Sequence, residues 1–133
     1  MSDSKDLSTP QNGRASASLL HLSASTVVMP TPQPKPTSST GQTESTLNVW
    51  EPWPNISVGI WECEPGEFTA IRNEYAEVCQ ILSGTGSVHG DDGTSAEVGP
   101  GSLLVLPLGW RGRWIVRETI RKSYALLAGA SNK

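Results

Sequence analysis

The chain has 133 residues and a formal net charge of −3, which is room for one ordinary domain and no second. Neither sign of charge forms a long run, so the electrostatic footprint of a nucleic-acid binder is absent, and no apolar run approaches the roughly 18 residues of a membrane span. Two cysteines, Cys63 and Cys79, are too few for a disulfide framework and lack Cys-x-x-Cys spacing; with no signal peptide in view, they fit buried thiols in a reducing, cytoplasmic setting.

From Met1 to about Ala17 the sequence is mostly Ser, Thr, Asp, Gly and Lys, too little apolar content to offset the entropy of ordering, and disorder is expected there. Leu19-Leu20-His21-Leu22 and Thr26-Val27-Val28-Met29 are short β-prone pieces suited to a sheet edge or a partner subunit. Pro30, Pro32, Pro34 and Pro36 then stand in a bed of Ser and Thr as far as Thr46, which predicts an extended linker or meandering arm. The composition changes at Leu47, dividing the chain into an N-terminal arm (1–46) and a β domain (47–133).

In that domain Ile56, Val58 and Ile60 alternate with Ser57, Gly59 and Trp61, the period of a strand, and Pro65-Gly66 turns it. Phe68, Ala70 and Arg72 share one face of the next strand. Ala76 to Leu82 is a third, closed by Ser83-Gly84, and Thr85 to His89 a fourth. Asp91-Asp92-Gly93 signals a hairpin. Ala96 to Val98, Leu103 to Leu106, Arg113 to Val116 and Ile120 to Leu127 complete the set, and no segment carries a helical period. Short strands so closely spaced predict an all-β jelly-roll barrel. Five Trp supply much of its core, each aromatic burying roughly 150–250 Å², and so small a core makes a homodimer the expected state.

With the strands placed, four patches resemble the cupin superfamily, in particular the small single-domain cupins related to ureidoglycine aminohydrolase and to the ethanolamine-utilisation cupins. They are Gly59-Ile60-Trp61-Glu62-Cys63-Glu64-Pro65-Gly66, Glu77-Val78-Cys79-Gln80-Ile81-Leu82-Ser83-Gly84, Gly99-Pro100-Gly101 running on to Pro107-Leu108-Gly109-Trp110-Arg111-Gly112-Arg113-Trp114, and Arg121-Lys122-Ser123-Tyr124. The resemblance implies a double-stranded β-helix with a ligand or metal site inside. In the first cupin motif, Glu77 and Gly84 match, whereas the two histidine positions fall on Arg72 and Glu74 counted from Gly66, or on Ile71 and Asn73 counted back from Glu77. In the second, Gly101, Pro107 and Gly109 match, and the ligand histidine is replaced by Gly112. A cupin metal is held by three imidazoles and a carboxylate; here the carboxylate alone remains, too little to hold a transition metal tightly. No metal and no other cofactor is therefore expected.

Glu77 is the candidate catalytic residue. Strand alternation places it with Cys79 and Ile81, and on the barrel's inner face it needs a cation or a raised pKa. Arg72, Arg113 and Lys122 are its candidate partners, and an ordering ion pair and a general acid/base are both open readings. Arg72, Glu74, Tyr75, Trp110, Lys122 and Tyr124 are the candidate ligand-binding residues, with Lys122 and Tyr124 on one strand face as donors for a carboxylate or amide. His89 converging with Glu77 and Glu74 would make a poorer metal site; a polar strand end is its plainer reading. The basic cluster Arg111, Arg113, Arg117, Arg121 and Lys122 reads as a solvated strand face or as a grip on a small anion. The expected partner is thus a small polar or carboxylated metabolite, with no nucleic acid and no membrane. The chain reads as a small-molecule-binding barrel or, alternatively, as a small-metabolite enzyme using Glu77 with Lys122 and Tyr124.

Overall fold

The structure, a computed structural model, describes residues 17–129, and among these no residue is helical. Eight strands follow in chain order: β1 (Gln33–Pro34), β2 (Thr43–Trp53), β3 (Ile56–Cys63), β4 (Gly66–Ile71), β5 (Tyr75–Gly90), β6 (Ser95–Val98), β7 (Leu103–Leu106) and β8 (Arg111–Ala128). All pairings are antiparallel, running β1-β2-β3-β8-β5-β6, with β4 also on β8 and β7 also on β5. This is the expected all-β jelly-roll barrel.

β8 is the spine. Its first half pairs with β4 (Phe68 opposite Trp114) and its second with β3 (Trp61 opposite Lys122), while β5 runs along its other side. Trp114, Val116, Ile120, Lys122 and Tyr124 are buried, so on either side of the exposed stretch Arg117–Thr119 alternate residues face inward, as the pleat requires. Trp61, Phe68 and Trp114 form the centre: Phe68 stacks on Trp114 with ring centres 5.9 Å apart, and Trp61 meets both edge-on at 5.7 and 6.1 Å. Each such pair contributes about 0.5–1.5 kcal/mol beyond the area it buries.

Two strands are longer than their sequence suggests. The pieces ending at Leu82 and beginning at Thr85 are one strand, β5, interrupted by register shifts between Ile81 and Gly86. Gly84 makes the irregularity possible. Its φ is +88°, and a Cβ there would stand 2.0 Å from the Thr119 carbonyl oxygen. Ser83-Gly84 therefore marks a bulge in a continuous strand, where a turn was expected. Likewise Arg113–Val116 and Ile120–Leu127 are joined in β8.

The N-terminal arm is described from residue 17 onward and is exposed over 17–21; residues 1–16, for which disorder was expected, lie outside the described part. The β-prone pieces at 19–22 and 26–29 form no strand. Segment 24–30 instead lies against the outer face of β2, β3 and β8, where Arg121 Nη1 donates to the Ala24 and Val27 carbonyls (3.0 and 2.9 Å) and Ser45 Oγ donates to Pro30 O (2.6 Å). Residues 33–44, expected as a linker, form the β1–β2 hairpin. The composition change at Leu47 falls inside β2.

Candidate functional site

A cavity of about 450 Å³ opens on the inner faces of β2, β3, β4, β5 and β8. Its floor is Glu77, a carboxylate only 2% exposed. Strand alternation sends Glu77, Cys79 and Ile81 inward together, and all three are buried. An ionised carboxylate at such a depth requires partners, and two cations supply them. Arg72 Nε and Nη2 both donate to Oε1 (3.0 and 2.6 Å), while Lys122 Nζ lies 2.7 Å from Oε2. Burial alone pushes the Glu77 pKa up, but the charges and hydrogen bonds of Lys122 and Arg72 outweigh it and hold the pKa below the ordinary carboxylate range. Glu77 is thus a fixed anion near neutral pH.

Both cations are themselves held in place. The Lys122 ammonium sits 4.4 Å from the Trp61 ring centre and 4.6 Å from that of Trp114, and the Arg72 guanidinium 5.4 Å from that of Tyr75. Such cation–π contacts contribute about 0.5–2 kcal/mol each. Arg72 lies just past the end of β4, clasped by reciprocal backbone bonds: its N–H donates to Trp110 O (2.8 Å), and its carbonyl accepts from Gly109 N (2.6 Å). The Pro107–Gly109 turn therefore positions the guanidinium from behind. Tyr124, two residues along β8 from Lys122, also lines the cavity; burial, then the Glu77 charge, keeps its phenol protonated.

Of the residues singled out in the sequence, Arg72, Tyr75, Glu77, Lys122 and Tyr124 meet in this one cavity. Glu74 and Trp110 do not line it. Glu74 is exposed in the β4–β5 loop. Trp110 packs outside the cavity, its ring 2.7 Å from where a Cβ on Gly112 would stand. Arg113 is not a partner of Glu77, because its strand parity turns it outward to Glu67 at 3.3 Å. The rest of the basic cluster is neutralised pair by pair, Arg111 with Asp91, Arg117 with Glu97 and Arg121 with Glu62. Lys35, Thr37 and Thr46 line the cavity without having been picked out. No local pattern marks Lys35: residues 43–46 are all polar, and its place is set by the β1–β2 hairpin and by the bond from Thr69 N–H to Thr37 O.

The residues do not fit the metal of the cupin motif. Both Glu77 oxygens are engaged by cations, and the histidine positions are Ile71 or Arg72, Asn73 or Glu74, and Gly112. Around Gly112, His89 O and the Trp110 ring occupy the space a side chain would need, 2.1 and 2.7 Å from its Cβ position. His89 bonds instead to Ser87 Oγ (2.9 Å), and among the described residues no three His, Cys, Asp or Glu side chains are grouped to hold an ion. The cysteines are free and buried, and burial pushes the Cys63 thiol up to about 11 and that of Cys79 to about 12.

Barrel, glycine frame and inward carboxylate together define a cupin. Residues 51–124 match the EutQ-like cupin domain family, and the chain belongs to it. Among solved structures, it is similar to the EutQ protein of Clostridium difficile (TM-score 0.61, 20% identity, covering 71% of this chain and 75% of that one). A protein of unknown function from Pseudomonas syringae gives 0.62 at 20% identity, over 74% of this chain and 43% of that one. Ectoine synthase from P. lautus gives 0.58 at 14% identity, over 68% and 66%. At such identities the likeness is one of fold alone. No curated protein matches the sequence significantly. No helix of the described residues is long and apolar enough to cross a membrane.

Proposed function

We propose that this cupin is a receptor for a small carboxylate-bearing metabolite and works without a metal centre. One observation carries the reading: the charged groups lining the cavity are three cations, Lys35, Arg72 and Lys122, and one acid, Glu77, and with Glu44 paired to Lys35 one positive charge is left in excess. A concave, aromatic-walled space with a few convergent polar groups is the usual form of a small-molecule site, and excess positive charge in a low-dielectric wall favours an anion. Arg72, which keeps N–H groups beyond those donated to Glu77 and, from Nη1, to Ile71 O (3.0 Å), is the natural anchor for a carboxylate. Backbone-resonance mapping with acetate and benzoate tests this. Shifts concentrated at Arg72, Tyr75 and Lys122 are expected, and shifts confined to the outer face would contradict it.

A second reading, a small-metabolite enzyme, is favoured by the meeting of Glu77, Lys122 and Tyr124 on an open cavity. It ranks lower because both Glu77 oxygens are already occupied. It requires that Glu77→Gln abolish a turnover while the fold persists. The two buried thiols suit a reducing, cytoplasmic setting, and a homodimer fits the outward row Val105, Val78, Ala125 and Val58, neighbours across four strands. Sedimentation of the full chain as a monomer would remove the dimer.

A further inference from the structure

Residues 33–42 precede the part matched by the family, yet they build one wall of the cavity. Lys35 N–H donates to Gln42 O (3.0 Å), Ser39 N–H to Glu67 O (3.0 Å), and Thr69 N–H to Thr37 O (3.2 Å), which ties this strap to β4. Gln42, 2% exposed, anchors it just past the end of β3 through Nε2 donating to Glu64 O (2.8 Å). The strap is fixed, and it carries Lys35 to the cavity.

The Lys35 ammonium lies 2.9 Å from Glu44 Oε1, 4.3 Å from the Phe68 ring centre and 5.6 Å from that of Trp61, with its side chain 14% exposed. Lysine is seldom so enclosed. Among the described residues, Glu44 Oε1 is the single acceptor for its three N–H donors, and that oxygen also accepts from Trp61 Nε1 (2.8 Å). Donor capacity is left over beside the cavity. Arg72 stands at the other end of the same wall. Phe68, Ala70 and Arg72 face inward in succession, and four residues of extended chain span about 13 Å. Between the two cations the small Ala70 side chain leaves room.

We propose that the ligand is a dianion, a molecule with two carboxylates or equivalent anionic groups, one held by Arg72 on the floor and the other by Lys35 at the strap. This rests on the anion-receptor reading and deepens it. Lys35 is then the specificity-determining residue, supplied by a segment outside the matched family domain.

Calorimetric titration with benzoate and terephthalate, the same ring with one carboxylate or with two at opposite ends, tests it on the wild type, Lys35→Met and Lys35→Arg. The wild type is expected to bind terephthalate on the order of tenfold tighter than benzoate, as one added charge-assisted contact implies. Lys35→Met should weaken terephthalate alone and erase the preference, and Lys35→Arg should restore it. If Lys35→Met does not fold, Glu44→Gln decides, because releasing the ammonium must widen the preference for terephthalate and an unchanged preference overturns the proposal. Equal binding of the two probes by the wild type, or equal loss of both in Lys35→Met, overturns the dianion and leaves the anion receptor standing. Binding of neither probe overturns both.

Discussion

Glu77 shows how one carboxylate can serve structure and site together. It is bonded on both oxygens, so replacing it leaves two cations facing each other in the core. Glu77→Gln is expected to lower stability by about 3–5 kcal/mol, the usual loss when one member of a buried pair is removed. Its pH dependence has a definite sign. The folded pKa lies below the ordinary 4.5, so the carboxylate's contribution is complete above that value and is lost as pH falls through the folded pKa. Urea unfolding across acidic pH should show a steeper loss in the wild type than in Glu77→Gln, and parallel curves would contradict the pairing. Gly112 makes the complementary point. A Cβ there would meet the His89 carbonyl oxygen at 2.1 Å, so even Gly112→Ala should cost on the order of 1–3 kcal/mol through overpacking. An unchanged thermal midpoint would mean that the position is roomier than described, and that a histidine ligand was lost there for other reasons.

At the scale of elements, the arm is where sequence and structure part most. Proline alternation and polar composition suggest an extended chain around Pro30–Pro36, where Gln33–Pro34 is in fact strand β1 and Pro36 begins a turn, and they carry no information about what that chain lies against. The contacts that fix it are long-range: Arg121 reaching back to Ala24 and Val27, and Gln42 reaching Glu64. Arg121→Ala should release segment 24–30 while leaving the barrel intact. Amide exchange of Thr26 and Val27, which bond locally to Ser23 O, is expected to accelerate, whereas unchanged protection would show that the arm is held by other contacts. The strands were legible because alternation and glycine placement are local signals. Phe68-Ala70-Arg72 and Glu77-Cys79-Ile81 face inward as their period dictates. The bulge at Gly84 was read as a strand end because a φ > 0 glycine serves either role, and the neighbour that decides, Thr119, lies far along the chain.

The same distinction governs the site. Lys122, Tyr124, Arg72 and Glu77 were accessible to strand parity, because each sits on a well-marked inward face. Lys35 was not, because its place depends on a hairpin closing over β4. Glu74, at a histidine position of the motif, and Trp110, as an aromatic, were candidates for the pocket, and neither lines it.

For the molecule as a whole, the formal charge is negative, while the cavity at Arg72, Glu77 and Lys122 carries an excess of positive charge. That contrast places the positive charge where aromatic walls and partial burial strengthen its effect on a ligand, and the loss of the cupin histidines leaves the cavity to ion-pair and cation–π chemistry. The central claim, that the cavity selects anions, is tested most directly by calorimetric titration of the full chain with benzoate and with benzylamine, one ring bearing opposite charges. Saturable binding of benzoate with no detectable binding of benzylamine is the predicted result, and benzylamine binding as tightly as benzoate would contradict the account.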